Sequence, residues 1–320
     1  IKICPKPTAE HELRQVEKIG GTLIAACEDR YPDNLASLED APPLICVLGH
    51  PHLLGRKAVA LVGARNASAN GRKFAEKLAQ SLGESGYLVV SGLARGIDTA
   101  AHQGALEKGT AAVVAGGADV IYPKENAELH QAIAEQGVIL SELPPGVQPQ
   151  ARHFPRRNRI IAGLSLGVVV VEAAVRSGSL ITARLAADQG RLVFAVPGSP
   201  VDPRSQGCNR LLKDGAILVE SAADIIADLD PMVSGPLHDP TGSKYEDPPG
   251  LEPDESELRA GRIVINELLS ADPVSVDELL RQCQMSHAVV QTVLLEMELA
   301  GLLERHPGNR VARIFPQDSA

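Results

Sequence analysis

Three arginines fall within four positions of the segment His153-Phe-Pro-Arg-Arg-Asn-Arg-Ile-Ile-Ala-Gly-Leu-Ser165, beside the ring of Phe154. A guanidinium takes a phosphate through two parallel hydrogen bonds. Shortly after comes an apolar run, Val168–Val171, and then the turn Ser177-Gly178-Ser179, which opens a helix. Free N–H groups at a helix start, together with the helix dipole, favour an anion. Arg156, Arg157, Asn158 and Arg159, with Ser177, Gly178 and Ser179, thus bring two phosphate-binding devices to one place. The plainer alternative is an arginine-rich helix start with solvated charges.

Three further turns carry polar or glycine residues after apolar runs. Val62-Gly63-Ala-Arg65-Asn-Ala-Ser68 opens like a dinucleotide site, but Arg65 stands where a second glycine would admit pyrophosphate to the backbone. It offers a guanidinium instead, or simply covers the turn. Ser91-Gly92-Leu-Ala-Arg-Gly-Ile-Asp98 is followed four residues later by His102. A helix cap plus a packed histidine is the favoured reading over a working Asp/His pair. Gly116-Gly-Ala-Asp-Val-Ile-Tyr-Pro-Lys124 ends on a lysine that is either a point charge for phosphate or an ordinary solvated one. There is no Walker lysine after a glycine-rich loop, so P-loop hydrolysis is excluded, and no Ser/His/Asp elbow motif occurs. Aromatic residues make up 2% of the chain and Trp is absent. A broad stacking platform is therefore not expected, and single-strand binding would rest on phosphate contacts plus the one ring of Phe154. No residue set calls for a metal or cofactor.

These turns need a scaffold. Short apolar runs at Ala58–Val62, Tyr87–Val90, Ala111–Ala115, Val138–Leu140, Val168–Val171, Leu192–Val196 and Ala216–Val219 alternate with helical spacing at Gly71–Ser85, Asp98–Lys108, Glu125–Gln136 and Ser179–Gln189. Runs this apolar are buried on both faces, and the alternation predicts a doubly wound, mostly parallel α/β sheet. Thr22–Ala26 and Leu44–Leu48 are expected to extend it at an edge. Ligands of such sheets sit beyond the carboxyl ends of the strands, where all four turns fall.

Proline and acids then dominate from 229 to 256, read as a flexible linker. Helices at Arg259–Leu269, Val276–Gln282 (capped by Ser275) and Ser286–Leu299, followed by a hairpin turning at Pro307-Gly308-Asn309, predict a small winged-helix domain over 257–316. Its third helix has no Lys or Arg and carries Glu296 and Glu298, which meets a phosphate wall unfavourably. A protein contact or a structural role is the better reading, with Arg305, Arg310 and Arg313 leaving a wing contact to DNA open.

Net charge is -9, but residues 228–256 alone hold eight acids against one lysine. The main domain is near neutral, which leaves room for a basic cleft. At 320 residues the chain can hold two domains. Five scattered cysteines without ligand spacing fit a reduced, cytoplasmic setting. No apolar run would span a bilayer, and no signal peptide is present. The chain begins at Ile1, as expected of a piece lacking its natural N-terminus.

Taken together, Val62-Gly-Ala-Arg65, Ser91-Gly-Leu-Ala-Arg-Gly-Ile-Asp98 with Ala101-His102, Tyr122-Pro123, Phe154-Pro-x-Arg-Asn-Arg-Ile-Ile-Ala-Gly163, Ser177-Gly-Ser-Leu-Ile-Thr-Ala183, Phe194-Ala-Val-Pro-Gly198 and Gly207-x-Asn209 resemble the DNA-processing protein A (DprA, or Smf) family over about residues 20–228. Ala64 replaces the family's usual Ser. The resemblance implies an extended Rossmann-like domain at 20–228 that binds single-stranded DNA and forms a homodimer. It also implies protection of incoming DNA and loading of the RecA recombinase during natural transformation, without catalysis. Arg65, Lys124 and the cluster at 156–159 match positions the family uses against phosphates. Residues 1–19 would be the remnant of an N-terminal helical domain.

Two rivals remain. A Rossmann-like nucleotide phosphoribohydrolase needs a carboxylate beside the anion turn, and Glu172 is the one at hand. A dinucleotide-dependent oxidoreductase is weakened by Arg65.

Overall fold

The computed structural model describes residues 4–233, 254–270, 272–283, 285–306 and 310–314. Most of the segment read as a flexible linker, and the wing turn at 307–309, lie outside them. The chain divides into two units, Ile1–Pro236 and Leu237–Ala320.

Among the described residues the first unit holds β1 (Thr22–Ala25), β2 (Leu44–Gly49), β3 (Ala58–Val62), β4 (Leu88–Ser91), β5 (Thr110–Val113), β6 (Val138–Ser141), β7 (Gly167–Val170), β8 (Leu192–Ala195) and β9 (Ile217–Leu218). They form one sheet in the order β1-β2-β6-β5-β4-β3-β7-β8-β9. From β6 to β9 every pairing is parallel. The β1–β2 and β2–β6 pairings are antiparallel, which places the first two strands at the expected edge.

The helices are α1 (Lys6–Lys18), α2 (Asp33–Ala36), α3 (Ala69–Glu84), α4 (Ile97–Ala105), α5 (Ala127–Gln136), α6 (His153–Leu164), α7 (Gly178–Asp188), α8 (Gln206–Lys213) and α9 (Ala222–Val233). Side chains alternate faces along each strand, so both layers bury apolar stripes. Ala58, Ala60 and Val62 of β3 join Leu35 of α2, Ile160 and Ile161 of α6 and Ala183 of α7 on one face. Val59 and Leu61 join Ala75 of α3, Ala101 of α4 and Ile225 of α9 on the other. Val16 of α1 is buried in a cluster with Cys46 and Ile139, so this helix belongs to the packing of the sheet.

Two boundaries differ from expectation. Helix α9 runs on to Val233, because Leu229 is fully buried and Tyr87 donates its hydroxyl to Asp230 at 2.7 Å. Helix α10 (Glu255–Leu268) begins before the position expected for its start. Both ends of the segment read as linker are therefore helical.

In the second unit, β10 (Val274–Ser275), α11 (Val276–Cys283), α12 (His287–Leu299), β11 (Leu303–His306) and β12 (Arg310–Arg313) follow α10. Ser286 caps α12 by accepting the Val289 N–H at 3.3 Å, and Ser275 accepts the Glu278 N–H at 3.2 Å. The hairpin is joined by β10, a strand too short for sequence periodicity to reveal. Ile265, Leu279, Val290, Val293 and Val311 form the core of this unit.

Candidate nucleic-acid interface

The turns after β3, β4, β5 and β7 meet at the carboxyl edge of the sheet, around two adjoining hollows of about 560 and 480 Å³. Arg65, Ala94, Phe154 and Arg157 line both. Gly96, at φ +83°, locks the first two turns together; a Cβ there would strike the carbonyls of Ala64 and Arg65. Asn158, Ser177, Gly178 and Ser179 line the first hollow, and Lys124 lines the second.

Burial and pairing sort the cations. Arg65 is exposed, and its guanidinium lies 5.4 Å from the ring centroid of Phe154. Tyr122 approaches the same ring at 5.8 Å between centroids. The side chains of Arg65 and Lys124 make no ion pair or hydrogen bond among the described residues, and neither does that of Arg176, which lines the first hollow. Arg176 was not among the residues expected from the sequence; its place directly before the α7 cap Ser177 was the available signal.

The 156–159 cluster is divided. A helix turns each successive side chain by about 100°, so neighbours in sequence face different ways. Arg157 is buried and donates from Nη1 to the carbonyls of Gly92, at 2.6 Å, and Val113. A Cβ at Gly92 would run into that guanidinium and displace it. Burial pulls the Arg157 pKa down to about 10, so it stays charged at neutral pH. Arg159 is buried against Glu142, with a further bond of 2.6 Å to the Asp40 carbonyl. Arg156 is exposed and lies 3.4 Å from the same Glu142 carboxylate. Neither Arg156 nor Arg159 lines the two hollows.

The second turn is satisfied internally. The Ser91 hydroxyl is fully buried and donates to the Leu61 carbonyl at 2.6 Å. Asp98 does not cap α4, whose N-cap is Gly96. It folds back and accepts the N–H groups of Gly92, at 3.1 Å, and Ala94, at 3.4 Å. Burial raises its pKa, while Arg157 and the two N–H groups act the other way. Ser91 and Gly92 thus spend their polar groups inside the turn. His102 is the packed histidine expected. It accepts the Leu93 N–H at 3.3 Å and contacts the Thr110 hydroxyl at 2.8 Å, and burial lowers its pKa to about 3. Gly63 packs tightly against Ile97.

At the anion turn, Ser177 accepts the Ser179 N–H at 3.4 Å and its hydroxyl meets that of Ser179 at 2.7 Å. Gly178 is exposed at the helix start. Glu172 faces away from this chemistry. Its carboxylate accepts the Ser68 N–H at 2.9 Å and the Ser68 hydroxyl, holding the start of α3. In the winged unit, Arg262 grips Glu296 through bonds of 2.7 and 2.8 Å, and Arg305 donates to Glu298 at 2.8 Å. Among the described residues no helix is long and apolar enough to cross a membrane.

The chain is similar to known proteins in sequence and fold. A family model described as DNA recombination-mediator protein A matches residues 22–230, and one described as the DprA winged helix domain matches residues 247–309. The chain is 50% identical over 205 residues to DNA processing protein DprA of Streptococcus pneumoniae, covering 63% of this chain and 72% of that protein. It is 39% identical over 313 residues to Protein Smf of Escherichia coli, covering 96% and 81%. The X-ray structure of S. pneumoniae DprA superposes with a TM-score of 0.65 at 46% identity, over 69% of this chain and 78% of that one. A structure of DNA processing protein A from Helicobacter pylori, concerned with its single-stranded DNA binding mode, gives 0.61 at 31% identity, over 66% and 96%. With its mostly parallel sheet, strand-end turns and winged-helix unit, the chain belongs to the DNA recombination-mediator protein A family.

Proposed function

We propose that this chain binds single-stranded DNA in the strand-end hollows, without catalysing a reaction. The observation that carries the reading is the set of cations without partners among the described residues, Arg65, Lys124 and Arg176, around Phe154 and the start of α7. Phosphates would lie along these cations and on Gly178, and a base would stack on Phe154. Ser177, Ser179 and Asn158 would add short polar contacts. The H. pylori relative is consistent with this ligand. On the same reading the protein works in the cytoplasm, protects incoming DNA and passes it to the RecA recombinase during natural transformation. The winged-helix unit, whose α12 turns Leu295 and Leu299 to solvent, serves a protein contact or the structure. A gel shift of labelled single strand against duplex tests the ligand. Single strand should shift at lower protein concentration, and removing 234–320, which spares Leu229, should leave that affinity equal or slightly higher at low salt. Preference for duplex, or loss of affinity beyond about tenfold on truncation, would refute it.

The phosphoribohydrolase alternative loses support because Glu172 is occupied by Ser68. Incubation with AMP should release no adenine, in the wild type or in Glu172→Gln.

The homodimer is proposed through the β9 edge. Of the apolar residues after the last glycine motif, Ile225 is fully buried, and Leu211, Leu212, Ile217 and Ile226 pack in part on the sheet. Leu218, 49% exposed, remains on the terminal strand. Two clefts on one particle would raise avidity. Sedimentation at micromolar concentration should show a dimer that Leu218→Lys dissociates; a wild-type monomer of undiminished DNA affinity would count against it.

A further inference from the structure

We propose that Asp98 and Arg157 form a positioning pair beneath the DNA site: Arg157 ties the ends of β4 and β5 together under Phe154, Asp98 holds the adjoining turn, and neither touches a phosphate. The proposal rests on the single-strand reading above and assigns it a buried support. Arg157 is 7% exposed and Asp98 6% exposed. One nitrogen of Arg157 takes carbonyls from two neighbouring strand ends, Gly92 and Val113. Its Nε is buried without a partner, so the group is held by the fork of its Nη1 bonds and by its surroundings. The guanidinium lies 6.0 Å from the Phe154 centroid, and Phe154 in turn carries Arg65 at 5.4 Å. Moving Arg157 therefore displaces the ring and the exposed cation resting on it.

Asp98 does the complementary work. Both of its backbone bonds end on Oδ2, closing the Gly92–Ala94 turn, and Ala94 lines both hollows. The two side chains meet at Gly92, whose N–H Asp98 accepts and whose carbonyl Arg157 takes, so the buried carboxylate is the nearby counter-charge of the buried cation. With Nη1 taken by two carbonyls and Nε buried, Arg157 has no adjacent pair of donors to turn toward a phosphate.

The test uses the full chain and a fluorescent single-stranded oligonucleotide titrated at several salt concentrations, with thermal melting of each variant. Removing one phosphate-binding cation should lower the slope of log affinity against log salt by about 0.7 for single strands. Arg65→Ala should show that change. Arg157→Met should lose about tenfold in affinity at the wild-type slope. Arg157→Lys keeps the buried charge but not the planar fork, and should lose affinity similarly. The double variant Asp98→Asn with Arg157→Met removes both charges together and should melt above Arg157→Met, yet bind no better. Arg157→Lys with wild-type affinity would overturn the proposal, as would an Arg157→Met slope reduced like that of Arg65→Ala, or full binding by the double variant. Should Arg157→Met not fold, Arg157→Lys decides. Should Arg65→Ala also bind normally, the single-strand site itself falls, a result distinct from failure of the pair.

Discussion

Arg65→Ala is expected to lower affinity for single-stranded DNA by about tenfold, near 1.4 kcal/mol, while leaving thermal stability unchanged. Arg65 is exposed, makes no ion pair among the described residues, and rests on Phe154. Removing it leaves no buried charge behind, so the folded state gives up only a solvent-facing side chain. The DNA-bound state loses a cation placed between two hollows. The signature is the salt slope, lower by about 0.7, and the effect should be largest at low salt. Arg156→Ala is the internal comparison. Arg156 lines neither hollow and lies beside Glu142, so its removal should change affinity and slope little. Equal losses in both variants would mean that the strand follows α6 instead of the hollows. Fluorescence anisotropy over a salt series, with melting curves, reads all of this.

Arg159→Met should do the reverse: stability falls while the folded protein keeps its DNA affinity. The side chain of Arg159 is 11% exposed and that of its partner Glu142 16%. Its Nη1 also donates to the Asp40 carbonyl. Breaking a buried pair strands a carboxylate, and the cost is about 3 kcal/mol; Arg156, 3.4 Å from the same carboxylate, keeps it from being higher. For the unit Ile1–Pro236, which holds Arg159, that corresponds to a fall of roughly 6–12 °C in melting temperature. Arg159→Met with Glu142→Leu should recover most of the loss, because a packed apolar pair replaces buried ions at little cost. A melting temperature unchanged by Arg159→Met would show the pair to be worth no more than a surface one.

Arg65 and Arg159 are the same residue type in opposite settings, one exposed and one buried against Glu142, and chain order alone does not tell them apart. Strands of the main sheet were legible because Val, Ile, Ala and Leu run without interruption where both faces are covered, as at Val59–Leu61 and Val168–Val170. The edge pair at Thr22 and Leu44, the helices of the winged unit and the cap at Ser275 were legible for equally local reasons. So was the set of turns: in a parallel sheet they must collect at one edge, whatever the details. The winged unit's β10 was not, since two residues carry no period.

Residue types and order by themselves determined the α/β sheet, the edge where the polar turns collect, and the family. They did not determine which arginine faces the hollows. Arg156, Arg157 and Arg159 are one motif in sequence, but a helix sends Arg156 and Arg159 to one side, where both meet Glu142, and Arg157 to another, where it meets two strand carbonyls. Their partners lie at Glu142, Gly92, Val113 and Asp40, far along the chain and outside any local pattern. Only the tertiary structure, by deciding which cations find an acceptor inside the protein, leaves Arg65, Lys124 and Arg176 at the hollows without an acceptor among the described residues.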